Sequence, residues 1–194
     1  MKYLISKSCV ALVLVLSTNL TLAHSGHGEG MLGLAGFVHP FTGLDHLLAM
    51  FAVGVWATNL GGRALWAVPL SFIAMMLGGG VLAFMDVNVP FIEQGIVMSV
   101  MVFGILLLAA KHLPLWCSLL LTASFAVCHG AAHGLEMPVT ASAGSYTLGF
   151  VLATALIQAV GLGVGRWFQQ QGMQRLNQVL GGVIAGTGMA LAII

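Results

Sequence analysis

The chain has 194 residues, of which 59% are hydrophobic and only 6% are charged, whereas about a quarter of the residues in a soluble globular domain are charged. A chain of this length cannot bury so much apolar surface in one water-soluble core, so lipid must solvate most of it. Six basic residues against five acidic ones exclude both a basic surface for nucleic acid and an acidic tail. The composition therefore predicts an integral membrane protein.

The first 23 residues are predicted to form a cleavable signal peptide. Lys2 and Lys7 precede a short apolar run, and small residues lead up to Ala23. A basic start, an apolar stretch and small residues at its exit are typical of a secretory signal. We expect cleavage after Ala23, so that the mature chain starts outside the cytoplasmic membrane. An uncleaved first transmembrane helix is the alternative.

After cleavage, residues 24–30 would form a short periplasmic tail. His24 would then present both its α-amine and its imidazole, with His27 three residues further along the chain. Imidazole nitrogen is a common ligand of transition metals. Two interpretations stay open for this tail: it binds metal outside the membrane, or it is a disordered polar segment.

Residues 31–194 are predicted to form a transmembrane domain of six helices. A transmembrane helix needs about 20 predominantly apolar residues. Six candidate segments meet this need, of which the first and fourth also contain polar residues: 31–57, 64–85, 91–110, 114–135, 145–167 and 174–194. The predicted fold class is therefore an all-α membrane protein, a six-transmembrane helix bundle that follows a signal peptide.

The basic residues of the mature chain indicate the orientation of this bundle. All four lie in or beside the loops that follow the first, third and fifth spans: Arg63, Lys111, Arg166 and Arg175. Because cytoplasmic loops carry an excess of Lys and Arg, we expect these loops in the cytoplasm. The chain is then a multi-pass protein of the cytoplasmic (inner) membrane with its N-terminus in the periplasm.

Glycine patterns predict where helices approach each other closely. Gly161 and Gly165 on span five, and Gly182 and Gly186 on span six, have the four-residue spacing of membrane-helix packing faces. The run Gly78–Gly80 in span two could instead admit a kink or a cavity.

Ionisable side chains within the spans carry the functional signal, because such groups are costly in a bilayer and usually face a cavity, a partner or a ligand. Three separate spans supply seven of them: His39, Asp45 and His46 from span one, Glu93 from span three, and His129, His133 and Glu136 from span four. The predicted topology brings all seven to the outer leaflet. We therefore expect one polar site there; histidines that only hydrogen-bond between helices are the alternative.

The spacing within span four suits metal binding. His129 and His133 are four residues apart and would lie about 6 Å apart on one helical face, which Glu136 continues. Imidazole nitrogen with carboxylate oxygen suits nickel, cobalt, zinc, copper(II) or iron(II), and argues against calcium or magnesium.

Span one needs a break to take part in the same site. On an unbroken helix His39 and His46 would stand about 10 Å apart along the axis, too far for one ion. Pro40 and Gly43 disfavour a regular helix between them, and transporters commonly build ion sites from broken helices. We therefore expect the two histidines to converge at a break.

Other candidate ligands carry a weaker signal. His112 lies beside Lys111 in a predicted cytoplasmic loop and is interpreted as an interfacial residue. A copper(I) path through four methionines is a minor alternative: Met75, Met76, Met98 and Met101.

Two motifs resemble those of a known family. The first motif is the segment His39-Pro40-Phe41-Thr42-Gly43-Leu44-Asp45-His46-Leu47-Leu48-Ala49-Met50. It resembles the His-Pro-x-x-Gly-x-Asp-His-x-x-Ala-Met signature of the HupE/UreJ family of small nickel permeases. The second motif of that family is similar to the segment His129-Gly130-x-x-His133-Gly134-x-Glu136. The resemblance implies uptake of nickel, with cobalt as the second choice, often to supply hydrogenase or urease. It also implies functional roles for these residues: His39, Asp45, His46, Glu93, His133 and Glu136, with His129 fitting the second motif.

The resulting hypothesis is transport of divalent nickel into the cell through an intramembrane His/Asp/Glu site near the outer face, by facilitated diffusion or ion-coupled transport. No phosphate-binding loop motif is present to support ATP hydrolysis. The expected partners are nickel or cobalt as the transported ion and the lipid bilayer, with a homo-oligomer and a downstream metallochaperone as further candidates. No nucleic acid and no prosthetic group are expected.

Two other functions compete with transport. An intramembrane zinc-dependent hydrolase could use histidines, an aspartate and an activated water, although neither a His-Glu-x-x-His nor a Gly-x-Ser-x-Gly motif is present. A metal-binding accessory protein for metalloenzyme maturation would bind the same ions without transporting them.

Overall fold

The computed structural model describes residues 29–193, so the predicted signal peptide and the tail histidines His24 and His27 lie outside the described residues. Every regular element within this range is a helix, which confirms the all-α prediction. Seven helices follow one another: α1 (Glu29–Thr42), α2 (Leu44–Leu60), α3 (Ala64–Phe84), α4 (Ile92–Leu108), α5 (Leu115–Leu135), α6 (Ala143–Gln170) and α7 (Gln174–Leu191).

The predicted first span is broken into α1 and α2, as expected from Pro40 and Gly43. The two helices meet at an angle of 88°. Gly43 lies between them with an extended backbone (φ −93°, ψ 115°), and Thr42 turns its hydroxyl back to donate to the carbonyl of His39. Pro40 lies in the last turn of α1, where a missing N–H and a ring clash weaken the helix. The sharp bend re-aims the side chains on either side of Gly43.

Three helices of the described chain are long and apolar enough to cross a membrane, namely α3, α5 and α6, and the bent pair α1–α2 would make a fourth span. α4 is apolar but shorter, with 17 residues. α7 begins with a polar turn that contains Gln174, Arg175 and Asn177. Helix length and composition therefore support a multi-pass membrane protein with three or four spans.

Helices α3 and α5 pack closely against each other at glycine residues, and α3 is continuous along this contact. A Cβ on Gly79 would overlap the carbonyl of Val127, and a Cβ on Gly130 would overlap the carbonyl of Met76. α3 continues through Gly78–Gly80 as one helix, so this run does not interrupt the helix. These glycines instead remove side chains where the two backbones approach each other.

The long helix α6 carries both α1 and α2 on its surface. Gly161 lies against the carbonyl of Phe51, and Gly165 lies against the side chain of Thr58, so the predicted packing face on span five is confirmed. On the α2 side, a Cβ on Gly54 would overlap the carbonyl of Gln158. α2 and α6 thus touch backbone to backbone near the middle of the bundle.

The packing face predicted on span six is displaced in the structure. Gly181 and Gly188 face α4. A Cβ added to Gly186 would have no atom of the described chain within 4 Å, and one added to Gly182 would make only an ordinary contact. The prediction was wrong in its register because Gly181 and Gly188, seven residues apart, also share one helical face.

Hydrogen bonds between helices place the basic residues at one end of the bundle. Trp56 Nε1 donates to the carbonyl of Lys111 (3.4 Å), and Gln169 Nε2 donates to the carbonyl of Thr58 (2.8 Å). The end that contains Lys111, called the basic end here, also receives the start of α3 with Arg63, the end of α6 with Arg166 and the start of α7 with Arg175. The histidine-rich segments lie at the opposite end.

Candidate metal centre

The bend at Gly43 brings the two histidines of the first motif together. His39 lies in the last turn of α1 and His46 in the first turn of α2, and their ring centroids are 6.4 Å apart. The predicted convergence of His39 and His46 is therefore confirmed, and the break in the helix is its cause.

Helix α5 brings the second motif to the same place. The ring of His133 lies 5.1 Å from that of His39 and 4.9 Å from that of His46, and the ring of His129 lies 4.8 Å from that of His46. The four rings form one group, called the histidine cluster: His39, His46, His129 and His133. It joins α1, α2 and α5 at the end of the bundle opposite the basic end.

Three side chains at the mouth of this cluster are spaced to hold one ion. One ligand atom from each of His39, His133 and Glu136 lies within 4.8 Å of the other two. Ligands at about 2.1 Å from a metal stand at most about 4.2 Å apart, so a shift of a few tenths of an ångström would close the site. In the structure the Nε2 of His39 and the Oε2 of Glu136 are 2.6 Å apart.

Asp45 orients His46. The carboxylate only accepts hydrogen bonds, and its Oδ1 lies 2.9 Å from Nδ1 and 2.7 Å from the backbone N–H of His46. Nδ1 of His46 is therefore the protonated nitrogen, and Nε2 carries the free lone pair. That Nε2 is buried and has no hydrogen-bond partner among the described residues. A carboxylate behind an imidazole is the usual support of a histidine metal ligand.

Ser99 on α4 orients His129 in the same way. The hydroxyl of Ser99 donates to the carbonyl of Ile96 (2.6 Å), so its oxygen is left to accept the Nε2–H of His129 at 3.0 Å. Nδ1 of His129 then carries the free lone pair, and it too is buried without a partner in the described part of the chain. Ser99 was not predicted from the sequence, where its one signal is a small polar residue in the middle of an apolar span.

His133 is held by packing. Its ring stacks on Phe150 of α6 at 4.9 Å with planes only 14° apart, and neither ring nitrogen has a hydrogen-bond partner within residues 29–193. Buried polar groups are normally paired. Helix-to-helix hydrogen bonding, the alternative raised for these histidines, therefore does not account for His133.

Exposure decreases from the mouth of the site to its interior. The side chains of Glu136 and His39 are 46% and 28% exposed, that of His46 is 10% exposed, and His129 and His133 are fully buried. An ion entering from this end would meet Glu136 and His39 first. Asp45 and Glu136 also supply two negative charges, which match the charge of one divalent cation.

Tyr146 is a second residue of the site that was not predicted from the sequence. Its ring centroid lies 6.1 Å from that of His39, it is 1% exposed, and its hydroxyl has no partner in the region that the structure describes. Tyr146 closes one side of the cluster where α1 crosses α6, since a Cβ on Gly36 would overlap its carbonyl.

The structure does not bring Glu93 to the cluster. Glu93 is exposed near the start of α4 and lines a separate cavity of about 380 Å³ together with Met98 and Met101. Its position along the bundle agrees with the prediction, but its side chain points to another face. Met75 is exposed and Met76 lies in the core, so the four methionines of the copper(I) alternative do not converge. His112 is exposed at the basic end.

Comparisons with known proteins identify the family of the chain. The family described as HupE / UreJ protein matches residues 12–191. The chain is 38% identical to Protein HupE of Rhizobium leguminosarum bv. viciae over 194 residues, which cover all of both chains. No solved structure matches. With a family match over nearly its whole length and a full-length relative at this identity, the chain belongs to the HupE/UreJ family.

Proposed function

We propose that this chain is a permease that carries divalent nickel, or cobalt as the second choice, across the cytoplasmic membrane into the cell. The observation that carries the proposal is the histidine cluster, with four buried nitrogen atoms on His46, His129 and His133 that have no hydrogen-bond partner among the described residues. The HupE/UreJ family is associated with nickel or cobalt uptake for hydrogenase or urease, which supports the choice of ion. Its members are transporters and accessory proteins and not enzymes, which argues against the hydrolase alternative.

In this proposal the histidine cluster faces the periplasm and the basic end faces the cytoplasm. The positive-inside rule supports this orientation, since all four basic residues of the described chain belong to the basic end. We take α4 and α7 to cross the membrane as well, which gives six spans with α1 and α2 sharing the first, and a periplasmic N-terminus after a cleaved signal peptide. The tail residues His24 and His27 would then lie on the side from which the ion arrives.

The ion is captured at the mouth and passed to deeper ligands. Glu136 and His39 are the most exposed members of the site, so they receive the partly hydrated ion first. His133 is within reach of that position, and its ring neighbours that of His46, which in turn neighbours that of His129. Asp45 and Ser99 position His46 and His129 and leave one lone pair of each free. The chain needs no prosthetic group for this sequence of ligand exchanges.

Glu93 has a role outside the cluster in this proposal. It lies at the same end of the bundle as the histidines, on a neighbouring helix, and it is exposed. A carboxylate near the mouth raises the local concentration of cations. The family resemblance implies a function for this residue, and attraction of the ion before capture fits its position.

Uptake of radioactive nickel by cells that express the chain tests the proposal. Cells with the wild-type chain should accumulate nickel above vector controls, and Asp45→Asn should abolish most of this uptake because His46 loses the negative charge behind its ring. Asp86→Asn is the matched control, since Asp86 is an exposed carboxylate in the α3–α4 connection at the same end. Equal uptake by the wild type and Asp45→Asn at equal expression would overturn the site. Nickel binding without any uptake would favour the accessory protein.

A further inference from the structure

A small polar group lies next to the histidine cluster, one helical turn deeper in the bundle. The hydroxyl of Thr154 on α6 is 3.4 Å from the sulfur of Met50 on α2 and 3.6 Å from the sulfur of Met76 on α3. All three side chains are fully buried. Met50 is one helical turn beyond His46, and Thr154 is one turn beyond Phe150, which stacks on His133. The group therefore adjoins the cluster on the side of the basic end.

Gln158 continues this group by one more turn. It lies four residues after Thr154 and so shares its face of α6. Gln158 is 1% exposed, and neither its amide oxygen nor its amide nitrogen has a hydrogen-bond partner in the described region. A leucine of similar size would fill this apolar position without leaving two polar atoms unpaired. Unpaired polar groups inside a membrane bundle usually mark the path of an ion or of water.

The polar group ends where α2 and α6 touch. Gly54 lies against the carbonyl of Gln158, and Gly161, three residues further along α6, lies against the carbonyl of Phe51. Beyond this contact, at the basic end, a cavity of about 430 Å³ is lined by Asn59, Gln169 and Asn177, among others. Gln158 and Gln169 are eleven residues apart, or about 16 Å along the helix. The close packing of α2 on α6, which Gly165 and Thr58 continue toward the basic end, thus separates two polar regions.

We propose that the ion leaves the histidine cluster along this face of α6, passing the Thr154–Met50–Met76 group and the amide of Gln158, and reaches the cavity at the basic end when α2 and α6 separate at Gly54 and Gly161. The inference rests on the proposed permease function. Neutral oxygen and thioether ligands bind a divalent ion more weakly than the imidazoles and carboxylates of the cluster. Weak successive ligands suit conduction, because the ion must be able to leave each of them.

The alternative is that Gln158 is only a packing defect. In that case Gln158→Leu should leave nickel uptake unchanged. If Gln158 serves the path, nickel uptake by cells should fall at least about tenfold, because a polar step has been replaced by hydrocarbon. The thermal midpoint of the purified variant in detergent should stay the same or rise, since two unpaired polar atoms are removed. Thr154→Val, which keeps the shape and removes the hydroxyl, should also lower uptake.

The matched control is Thr187→Val. Thr187 lies on α7, which packs mainly on α4, and its hydroxyl only donates to the carbonyl of Val183 in its own helix. This variant removes a hydroxyl, as Thr154→Val does, and should keep wild-type uptake. Unchanged uptake in Gln158→Leu, or an equal loss in Thr187→Val, would overturn the path.

Nickel binding to the purified proteins separates the failure of the path from the failure of the permease. Gln158→Leu should bind nickel as the wild type does, because the histidine cluster is untouched. If the wild type binds nickel and takes it up while Gln158→Leu does both equally well, only the path is wrong. If the wild type neither binds nor takes up nickel, the proposed function itself is wrong.

Discussion

Asp45 accepts the Nδ1–H of His46 at 2.9 Å and also the backbone N–H of the same residue at 2.7 Å. The two bonds fix the tautomer and the direction of the His46 ring, so that its buried Nε2 stays free. The rings of His129 and His133 lie 4.8 and 4.9 Å from that of His46. The carboxylate thus acts from behind the ring and is not a member of the three-ligand group at the mouth. This relationship depends on the bend at Gly43, because α2 begins directly after it and carries both Asp45 and His46 in its first turn.

Replacement of Asp45 by Asn should weaken nickel binding about 10- to 100-fold, as is typical when the support of a metal-bound histidine is lost. The amide keeps the shape of the carboxylate but removes its charge and can present an N–H to His46. Titration calorimetry on the purified chain measures the effect. Asp86→Asn should bind nickel like the wild type, and equal weakening in both variants would point to a general effect of charge.

Loss of the Ser99 hydroxyl should also reduce affinity, by about tenfold. Ser99→Ala frees Nε2 of His129, so its ring can rotate and its proton can move to Nδ1. The fold should not change, because the other hydrogen bond of Ser99 only returns to the carbonyl of Ile96 in its own helix. Ser124→Ala is the control: its hydroxyl likewise bonds within one helix, to Leu120. Wild-type affinity in Ser99→Ala would contradict the assigned role.

A methyl group at Gly43 should disturb the site more than the fold. A Cβ there would lie 2.9 Å from Oδ1 of Asp45 and 3.3 Å from Nδ1 of His46, while the backbone angles suit any residue. Gly43→Ala should therefore displace the Asp45–His46 bond and lower nickel uptake by cells, with little change in the thermal midpoint. Gly78→Ala is the control, because a Cβ there has no atom of the described chain within 4 Å; it should change neither nickel uptake nor the thermal midpoint. Normal uptake by Gly43→Ala would mean that the Asp45–His46 hydrogen bond does not depend on the absence of a side chain at Gly43.

The contact between α2 and α6 should be sensitive to a single methyl group. Gly161→Ala places a Cβ on the carbonyl of Phe51, and overpacking of this kind costs roughly 1–3 kcal/mol. Gly163→Ala, two residues along the same helix, has open space around it in the described structure and should be neutral or stabilising by up to about 1 kcal/mol. Thermal unfolding in detergent compares the two. A stable Gly161→Ala variant would mean that the helices are not held this closely.

The cluster could be predicted from the sequence largely because its members come from two dense segments. His129 and His133 share a helical face by spacing alone, and Pro40 with Gly43 signals the break that lets His39 meet His46. Ser99 and Gln158 could not be predicted, because a single polar residue in an apolar helix is common and its meaning depends on what the neighbouring helix presents. Their burial and their partners emerge only from packing.

Glu93 shows the limit of placing residues by depth in the membrane. Its position near the start of a span gave the correct end of the bundle, but depth does not specify which face of the helix carries the side chain. That rotation is set by packing on neighbouring helices, as for α7, where Gly181 and Gly188 contact α4. In a helix that is apolar on all sides, the sequence does not show which face is buried. That face is determined by contacts with the neighbouring helices.

In the proposed permease, one divalent nickel ion binds among the imidazoles of the histidine cluster and the carboxylate at its mouth. X-ray absorption at the nickel edge, on the purified chain loaded with one equivalent of nickel, can report these ligands. We expect a shell of nitrogen and oxygen ligands that includes the imidazoles of His39 and His133, and a weaker imidazole signal in the His39→Ala, His133→Ala double variant. A shell dominated by sulfur, or an imidazole signal unchanged in that variant, would overturn the site.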